Sequence, residues 1–154
     1  MIDNRQFSPL KILLADDDMD DRFFFAKALK ESSNSTEIKT VNDGEELMEY
    51  LNKQTENIPD ILFLDLNMPR KNGFECLSDL KENIQLKEIY VIMFSTSFPR
   101  DKHYEDDMIN RLLKIGAQDY IRKPNGFAQL KKVITIAITK AIEIISNKSQ
   151  ESIL

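Results

Sequence analysis

The sequence predicts a single α/β domain in which a parallel β-sheet is covered by helices on both faces. Five short apolar runs alternate along the chain with segments whose apolar residues recur at helical spacing. Strands that alternate with helices in this way form parallel sheets, and right-handed crossovers leave few topologies. A length of 154 residues fits one such domain.

The first two strands differ in polarity. The run LKILLAD at 10–16 is apolar and predicts a buried strand, whereas EIKTV at 37–41 is more polar and predicts a strand near an edge. Asp18 can cap the helix between them by accepting a hydrogen bond from a backbone N–H of the first turn. Phe24 and Phe25 fall on the stripe of that helix that is predicted to face the core.

The middle of the chain contains the strongest strand signal. A short helix at 45–53 follows an Asp-Gly turn, and DILFLD at 60–65 predicts a buried strand that ends in an acid. The loop at 66–73 leads into a third helix, which begins near Phe74. A fourth strand, YVIMF, is predicted at 90–94.

The C-terminal third begins with a long polar connection. A helix is predicted at 108–115, a fifth strand at 118–123 and a long helix from 127 to about 145. The polar residues 146–154 are expected to form a frayed tail.

The composition is that of an ordinary soluble globular protein. Hydrophobic residues make up 42% of the chain and charged residues 31%, and the formal net charge is -5. An acidic chain has no general attraction for phosphate backbones, so no nucleic-acid partner is expected. Cys76 is the only cysteine, which excludes an intrachain disulfide. The N-terminal residues lack a basic segment followed by an apolar stretch, so no signal peptide is expected. No apolar run reaches membrane length, and a cytoplasmic location without membrane contact is expected.

Reactive side chains follow four of the five predicted strands. The first strand ends in Asp16 and Asp17, the third in Asp65, the fourth in Ser95 and the fifth in Lys123. The carboxyl ends of parallel strands share one edge of the sheet, where ligands of such folds bind. Clustered carboxylates raise one another's pKa unless a cation neutralises them, and oxygen ligands suit Mg²⁺. A carboxylate can also accept a phosphoryl group, a transfer that depends on positioning and charge neutralisation.

Four motifs carry a resemblance to a known family. They are ILLADDD, FLDLNMPRKNGFE, MFSTS and YIRKP, in this order and each at the end of a predicted strand. Over roughly 9–142 the chain resembles the receiver domain of two-component response regulators, in particular the stand-alone, phytochrome-associated type. The resemblance implies a flavodoxin-like (βα)5 doubly wound sheet with strand order 2-1-3-4-5. It also implies a phosphoacceptor switch rather than an enzyme that acts on outside substrates.

The resemblance assigns roles to the residues at the strand ends. Asp65 would accept the phosphoryl group, and Lys123 would pair with that group once it is attached. The resemblance further implies Mg²⁺ as the cofactor, held by Asp16, Asp17, Asp65 and the backbone carbonyl of Asn67.

The resemblance also implies a switch. Ser95 would sense the phosphoryl group, Tyr120 would swing inward when Ser95 moves, and the bond between Lys123 and Pro124 would be cis. Ser95 departs from the threonine that is commoner in the family. Serine keeps the hydroxyl but lacks the methyl group that stiffens the side chain. We therefore expect phosphorylation to be retained and its coupling to the conformational change to be looser. The segment 97–116 is longer than usual for the family, which leaves the geometry of the output face open.

Protein partners are implied as well. A sensor histidine kinase or a phosphotransfer protein would donate the phosphoryl group. Output would pass by protein contact through the face made by helix 4, strand 5 and helix 5, and a homodimer through this face is a further expectation. We expect no output domain, because few residues follow the receiver core. Phe23, which points away from the core stripe, is a candidate docking residue for the kinase.

Several acidic and isolated residues have simpler interpretations. Asp18, Asp20 and Asp21 are expected to favour the N-terminus of a helix rather than to bind a metal. His103, the sole histidine, is expected to be a solvated surface residue, and Cys76 to pack as a small hydrophobic side chain.

Two alternative functions remain open at this point. A phosphohydrolase of the haloacid dehalogenase type also uses an aspartate nucleophile with Mg²⁺, but it needs a second acid two residues later, where this chain has Asn67. A degenerate receiver, folded but never phosphorylated, is the other alternative. The presence of both acids of the first strand, of Asp65 and of Lys123 weighs against it.

Overall fold

Five parallel strands form one sheet in the order β2-β1-β3-β4-β5, as predicted. The computed structural model describes residues 8–32, 35–96 and 102–151. Each strand is followed by a helix, and the polar second strand lies at an edge. The elements are β1 Leu10–Ala15, α1 Met19–Ser32, β2 Thr36–Val41, α2 Gly44–Asn52, β3 Ile61–Leu64, α3 Gly73–Glu82, β4 Tyr90–Ser95, α4 Lys102–Ile115, β5 Asp119–Arg122 and α5 Phe127–Glu151.

The two faces of the sheet carry separate apolar layers because successive side chains of a strand point to opposite sides. One layer joins alternate residues of the central strands to α2, α3 and α4, and the other joins the intervening residues to α1 and α5. The second layer contains an aromatic cluster in which Phe63 lies edge-on to Phe25 and Phe94, with ring centroids 4.8 and 5.8 Å apart. Helices on both faces leave the strand ends as the edge where polar groups meet.

Side-chain caps fix where the helices begin. Asp18 accepts a hydrogen bond of 3.0 Å from the backbone N–H of Asp21, which confirms its predicted capping role. Asn72 and Glu75 form a reciprocal capping box at the start of α3. These caps set the first turns of α1 and α3 against the strand ends.

Two helices are longer than predicted. α4 begins at Lys102 rather than at 108, because its first turn is held by an ion pair between the buried Glu105 and Arg122 of β5. His103 is exposed on this turn, on a helix rather than on the predicted loop. α5 continues to Glu151, so the frayed tail was a wrong prediction for 146–151, a stretch without glycine or proline. Residues 97–101 and 152–154 lie outside the described residues.

The prediction that Phe24 faces the core was wrong. Its side chain is 44% exposed, whereas Phe25 is buried, because α1 packs along a narrower stripe against the sheet and α5. Phe24 instead meets Phe23 and Phe127 edge-on, with centroid distances of 5.4 and 6.4 Å. Phe23 is 62% exposed, as its position outside the stripe predicted.

The predicted cis bond before Pro124 was also wrong, since no peptide bond among the described residues is cis. The trans form is the intrinsically preferred one for most prolines. The turn into α5 is made at Gly126, where φ is 98°, a conformation that glycine adopts without steric cost.

No helix in the described part of the chain has both the length and the apolar character that crossing a bilayer would require.

Candidate functional site at the carboxyl ends of the strands

Three aspartates meet at the predicted edge of the sheet. Asp16 follows β1 and Asp65 follows β3, and these neighbouring strands are in register with Ala15 opposite Leu64. A ligand oxygen from each of Asp16, Asp17 and Asp65 lies within 4.8 Å of the other two. Asp16 is 1% exposed and Asp65 is 6% exposed, whereas Asp17 is exposed to solvent. The sequence prediction that these acids converge is confirmed.

The backbone around Asp65 is held tightly. Its N–H donates a hydrogen bond of 3.0 Å to the carbonyl of Ala15, which extends the pairing of the two strands by one residue. On the other side, α3 begins at Gly73, where a Cβ atom would lie 2.2 Å from the carbonyl oxygen of Asp65. Only glycine allows this approach, and the N–H of Gly73 uses it to bond the carbonyl of Leu66 at 2.9 Å.

Lys123 brings a positive charge into the acidic cluster. Its ammonium lies 2.8 Å from Asp16 Oδ2, 3.0 Å from Asp21 Oδ2 and 3.3 Å from Asp65 Oδ2. Its backbone N–H donates a hydrogen bond of 2.7 Å to the carbonyl of Ser95. The pairing of β4 with β5 therefore fixes the backbone position from which the lysine side chain extends. The described structure therefore brings together the acids and the lysine that the sequence placed at separate strand ends.

The charges in this cluster are only partly balanced. Burial raises the pKa of Asp65 to about 6, and the charge of Asp16 adds to this effect while Lys123 opposes it. Burial also raises the pKa of Asp16, although Lys123 donates a hydrogen bond to it. Burial by itself would favour the neutral amine of Lys123, but the bond to Asp16 and the charge of Asp65 outweigh it and raise the lysine pKa.

Two hydroxyl groups near the site are buried without a hydrogen-bond partner among the described residues. They are Ser95 Oγ, at the end of β4, and the hydroxyl of Tyr120 on β5. Leaving a buried hydroxyl unpaired costs about 1–3 kcal/mol. The tyrosine hydroxyl is already buried in this structure, and its ring packs against the apolar layer shared with α4. Ser95 therefore has an unused hydrogen-bond donor one strand away from Asp65.

Asn67 lies in the exposed part of the loop that follows β3. Its N–H donates to Asp65 Oδ1 at 3.3 Å, so the turn places Asn67 directly beside the aspartate.

The sequence missed two contacts of this edge. Asp21, assigned only to the start of a helix, also pairs with Lys123. Arg22 donates a hydrogen bond of 2.8 Å to the carbonyl of Asp16. The sequence contained one sign of these contacts. The connection between β1 and α1 is short, so the first turn of α1 lies close to the end of the strand.

The donor set fits a hard divalent cation. Asp16, Asp17 and Asp65 lie together, and Lys123 contacts Asp16 and Asp65. The raised pKa of both of these acids reflects burial that the lysine does not fully offset. Carboxylate oxygens are the ligands that such cations take from proteins. A doubly wound sheet with this acid–lysine cluster at its carboxyl edge defines a receiver-type signalling protein.

The family assignment follows from comparison with known proteins. The response regulator receiver domain matches residues 12–135, and the chain belongs to this family. It is similar to response regulator Rcp1 of Synechocystis, with 33% identity over 130 residues that cover 82% of this chain and 84% of that protein. Receiver domains of this family bind a divalent cation at the acidic pocket, interact with histidine kinases or phosphotransfer proteins, and act in general as phosphoacceptor switches.

Solved structures of phytochrome response regulators are similar as well. Phosphorylated RcpA, a cyanobacterial protein, matches with a TM-score of 0.71 and 35% identity over 83% of this chain and 90% of that chain. The Mn²⁺-bound form of Rcp1 matches with a TM-score of 0.69 and 30% identity over 82% of this chain and 90% of that chain. These similarities confirm the predicted fold and the predicted resemblance to phytochrome response regulators.

We expect Asp65→Asn to stabilise the protein at pH 7.5 in the absence of divalent cations, by about 1–3 kcal/mol. The pKa of Asp65 is about 6 in the folded protein, above the ordinary value of 3.8, so the folded state holds its proton more tightly. That contribution to stability is complete below about pH 4 and is lost as the pH rises through 6. Asparagine carries no charge and avoids this loss.

Chemical denaturation between pH 4 and 8 measures the effect. The advantage of Asp65→Asn should shrink as the pH falls through 6 and be nearly absent at pH 4. Asp106→Asn, a substitution of an exposed aspartate on α4, is the control and should show no such pH dependence. A constant difference between wild type and Asp65→Asn over this pH range would contradict the prediction.

Proposed function

We propose that this chain is a single-domain response regulator in which Asp65 accepts a phosphoryl group from a sensor histidine kinase in a Mg²⁺-dependent reaction. The observation that carries the proposal is the position of Asp65, a nearly buried carboxylate within 3.3 Å of Lys123 Nζ and beside two further acids. With a pKa of about 6, Asp65 is mostly ionised at neutral pH and is thus available as a nucleophile.

The proposed transfer balances in charge and bonds. An Oδ atom of Asp65 attacks the phosphorus of a phosphohistidine, and an O–P bond forms as the P–N bond breaks. The imidazole nitrogen keeps the electron pair and takes up a proton. Lys123 then donates hydrogen bonds to the oxygens of the new phosphoryl group, because its ammonium already lies at Asp65.

Mg²⁺ is the cofactor that this proposal includes. Asp16, Asp17 and Asp65 would hold it through carboxylate oxygens, and the carbonyl of Asn67 would complete the protein ligands. When bound, it supplies positive charge that neutralises phosphoryl oxygens. The clustering of the three carboxylates supports this set.

Labelling with acetyl phosphate tests the phosphoacceptor. With Mg²⁺ present, we expect wild type to gain one labile acyl phosphate, and we expect Asp65→Asn or a chelator to abolish it. Lys123→Gln should reduce the label at equilibrium by at least about tenfold, the loss of one charge-assisted hydrogen bond in a buried site. Intact-mass spectrometry with hydroxylamine treatment measures the label.

The same experiment separates the alternatives. Persistent label in Asp65→Asn would move the acceptor to another residue. A wild-type protein that never takes up label would be a degenerate receiver. Steady turnover of general phosphate esters would favour a phosphohydrolase, but the residue two positions after Asp65 is Asn67, whose amide cannot serve as a general acid or base.

We further propose that Ser95 and Tyr120 carry the response to phosphorylation. Ser95 Oγ is buried without a partner in the described structure, so a phosphoryl oxygen on Asp65 would give it an acceptor. Tyr120 belongs to the next strand, and Met93 of β4 is its partner in the register. Its hydroxyl is already inside, which implies that the response changes the packing of an inward ring rather than bringing in an exposed one.

NMR with beryllofluoride, a phosphoryl mimic, measures this response. We expect resonances of Ser95 and Tyr120 to shift on addition of beryllofluoride with Mg²⁺, because Ser95 gains a hydrogen bond. Ser95→Ala should remove the Tyr120 shift, and Ser95→Thr should retain it. Tyr50, on α2 at the opposite edge of the sheet, is the internal control. An unchanged Tyr120 shift in Ser95→Ala would show that Ser95 does not transmit the response.

Phe23 is our candidate for docking the kinase. Its ring is 62% exposed on the first half of α1, the helix that leaves the acidic cluster. Aromatic side chains, phenylalanine among them, are enriched in the cores of protein interfaces. We likewise propose that output passes by protein contact through the face of α4, β5 and α5. A homodimer through this face is part of the same proposal. Ile136 and Ile142 leave exposed apolar area on α5 for such contacts.

Phe23→Ala should slow phosphotransfer by about fivefold or more, which corresponds to loss of at least 1 kcal/mol of docking energy. The donor is the kinase that labels wild type fastest in a profile of sensor kinases from the source organism. Ile84→Ala is the matched control, since Ile84 is 83% exposed beyond α3. Acetyl phosphate should label both variants as it labels wild type. Equal phosphotransfer rates for both variants would remove Phe23 from the interface.

A further inference from the structure

Lys123 has a carboxylate partner, Asp21, that does not belong to the cluster of Asp16, Asp17 and Asp65. An ammonium group has three N–H donors, and those of Lys123 are used by Asp16, Asp65 and Asp21. The distance from Nζ to Asp21 Oδ2, 3.0 Å, is shorter than the distance to Asp65 Oδ2, 3.3 Å. The lysine is therefore fully engaged before any phosphoryl group arrives.

Asp21 differs from the other two partners in its surroundings. It belongs to the first turn of α1, where its own N–H is bonded by the capping side chain of Asp18. Its side chain is 44% exposed, whereas the side chains of Asp16 and Asp65 are almost completely buried. Water can therefore solvate the carboxylate of Asp21 if the lysine leaves it, but water cannot do the same for Asp16 at low cost.

A phosphoryl group on Asp65 changes the demand on this lysine. The group adds negative charge at Asp65, and Lys123 must turn at least one N–H donor toward its oxygens. Asp21 is the partner that can be given up most easily, yet its negative charge holds the ammonium back and repels the phosphoryl oxygens. The contact stabilises the resting position of the lysine at the expense of the phosphorylated one.

We propose that Asp21 is a positioning residue that holds Lys123 in the unphosphorylated protein and competes with the phosphoryl oxygens for its ammonium. The inference rests on the proposed function of Asp65 and adds a regulatory element to the same site. Asp21 lowers the affinity of the site for a phosphoryl group. Because the pair of Asp21 and Lys123 is partly exposed and screened, we expect it to lower this affinity by about 1.5- to 5-fold.

The decisive variant is Asp21→Asn. The carboxamide oxygen can still accept a hydrogen bond from Lys123, so the geometry is retained while the charge is removed. Asp20→Asn is the matched control, because Asp20 lies in the same first turn, is exposed and has the same charge. Calorimetric titration with beryllofluoride in the presence of Mg²⁺ gives the affinity for a phosphoryl mimic.

We expect Asp21→Asn to bind beryllofluoride about 1.5- to 5-fold more tightly than wild type, with Asp20→Asn unchanged. The gain should disappear near 1 M salt, where exposed charges are screened over about 3 Å. A structural rearrangement of α1 would not show this salt dependence.

The outcomes separate this inference from the function on which it depends. A wild-type protein that neither binds beryllofluoride nor takes label from acetyl phosphate would overturn both proposals. Wild-type binding that is unaltered in Asp21→Asn, equal gains in the two variants, or a gain that persists at high salt would overturn only the role of Asp21.

Discussion

The interaction on which the site depends is the contact of one ammonium with buried carboxylates. Asp16 and Asp65 are enclosed at the ends of adjacent strands, where burial raises the pKa of each. Lys123 reaches them from the far side of β4 and satisfies part of their charge. The remaining negative charge keeps the pocket receptive to a cation. The same carboxylates therefore account both for the cost of burying charge in the resting protein and for the ability of the pocket to attract a cation.

Much of this arrangement could be predicted because it follows from strand order and from the continuous apolar runs that mark strands buried on both faces. The run of apolar residues before Asp65 identifies a central strand, and a central parallel strand ends at the edge where ligands bind. The acid pair after β1 and the lysine after β5 obey the same rule. Their convergence requires no knowledge of side-chain rotamers, which is why the sequence was sufficient.

The errors concern features that depend on packing in three dimensions. The start of α4 lacks apolar periodicity, and its first turn is held by the pair of Glu105 and Arg122, which are distant in sequence. Phe24 was assigned to the core because spacing alone does not give the width of the buried stripe. The isomer before Pro124 depends on the surrounding loop. The contact of Asp21 with Lys123 likewise required the angle at which α1 leaves the sheet.

The close approach at Gly73 has a consequence for the durability of the site. A β-carbon there would overlap the carbonyl of Asp65, so the first turn of α3 and the acceptor backbone share one steric envelope. Local opening of that turn would expose the aspartate, whereas opening of the last turn of α5 would leave it covered. Amide hydrogen exchange would register the two events separately, because it follows opening at individual backbone N–H groups. The integrity of the pocket therefore depends on the local stability of α3, a short helix that contributes none of the acids.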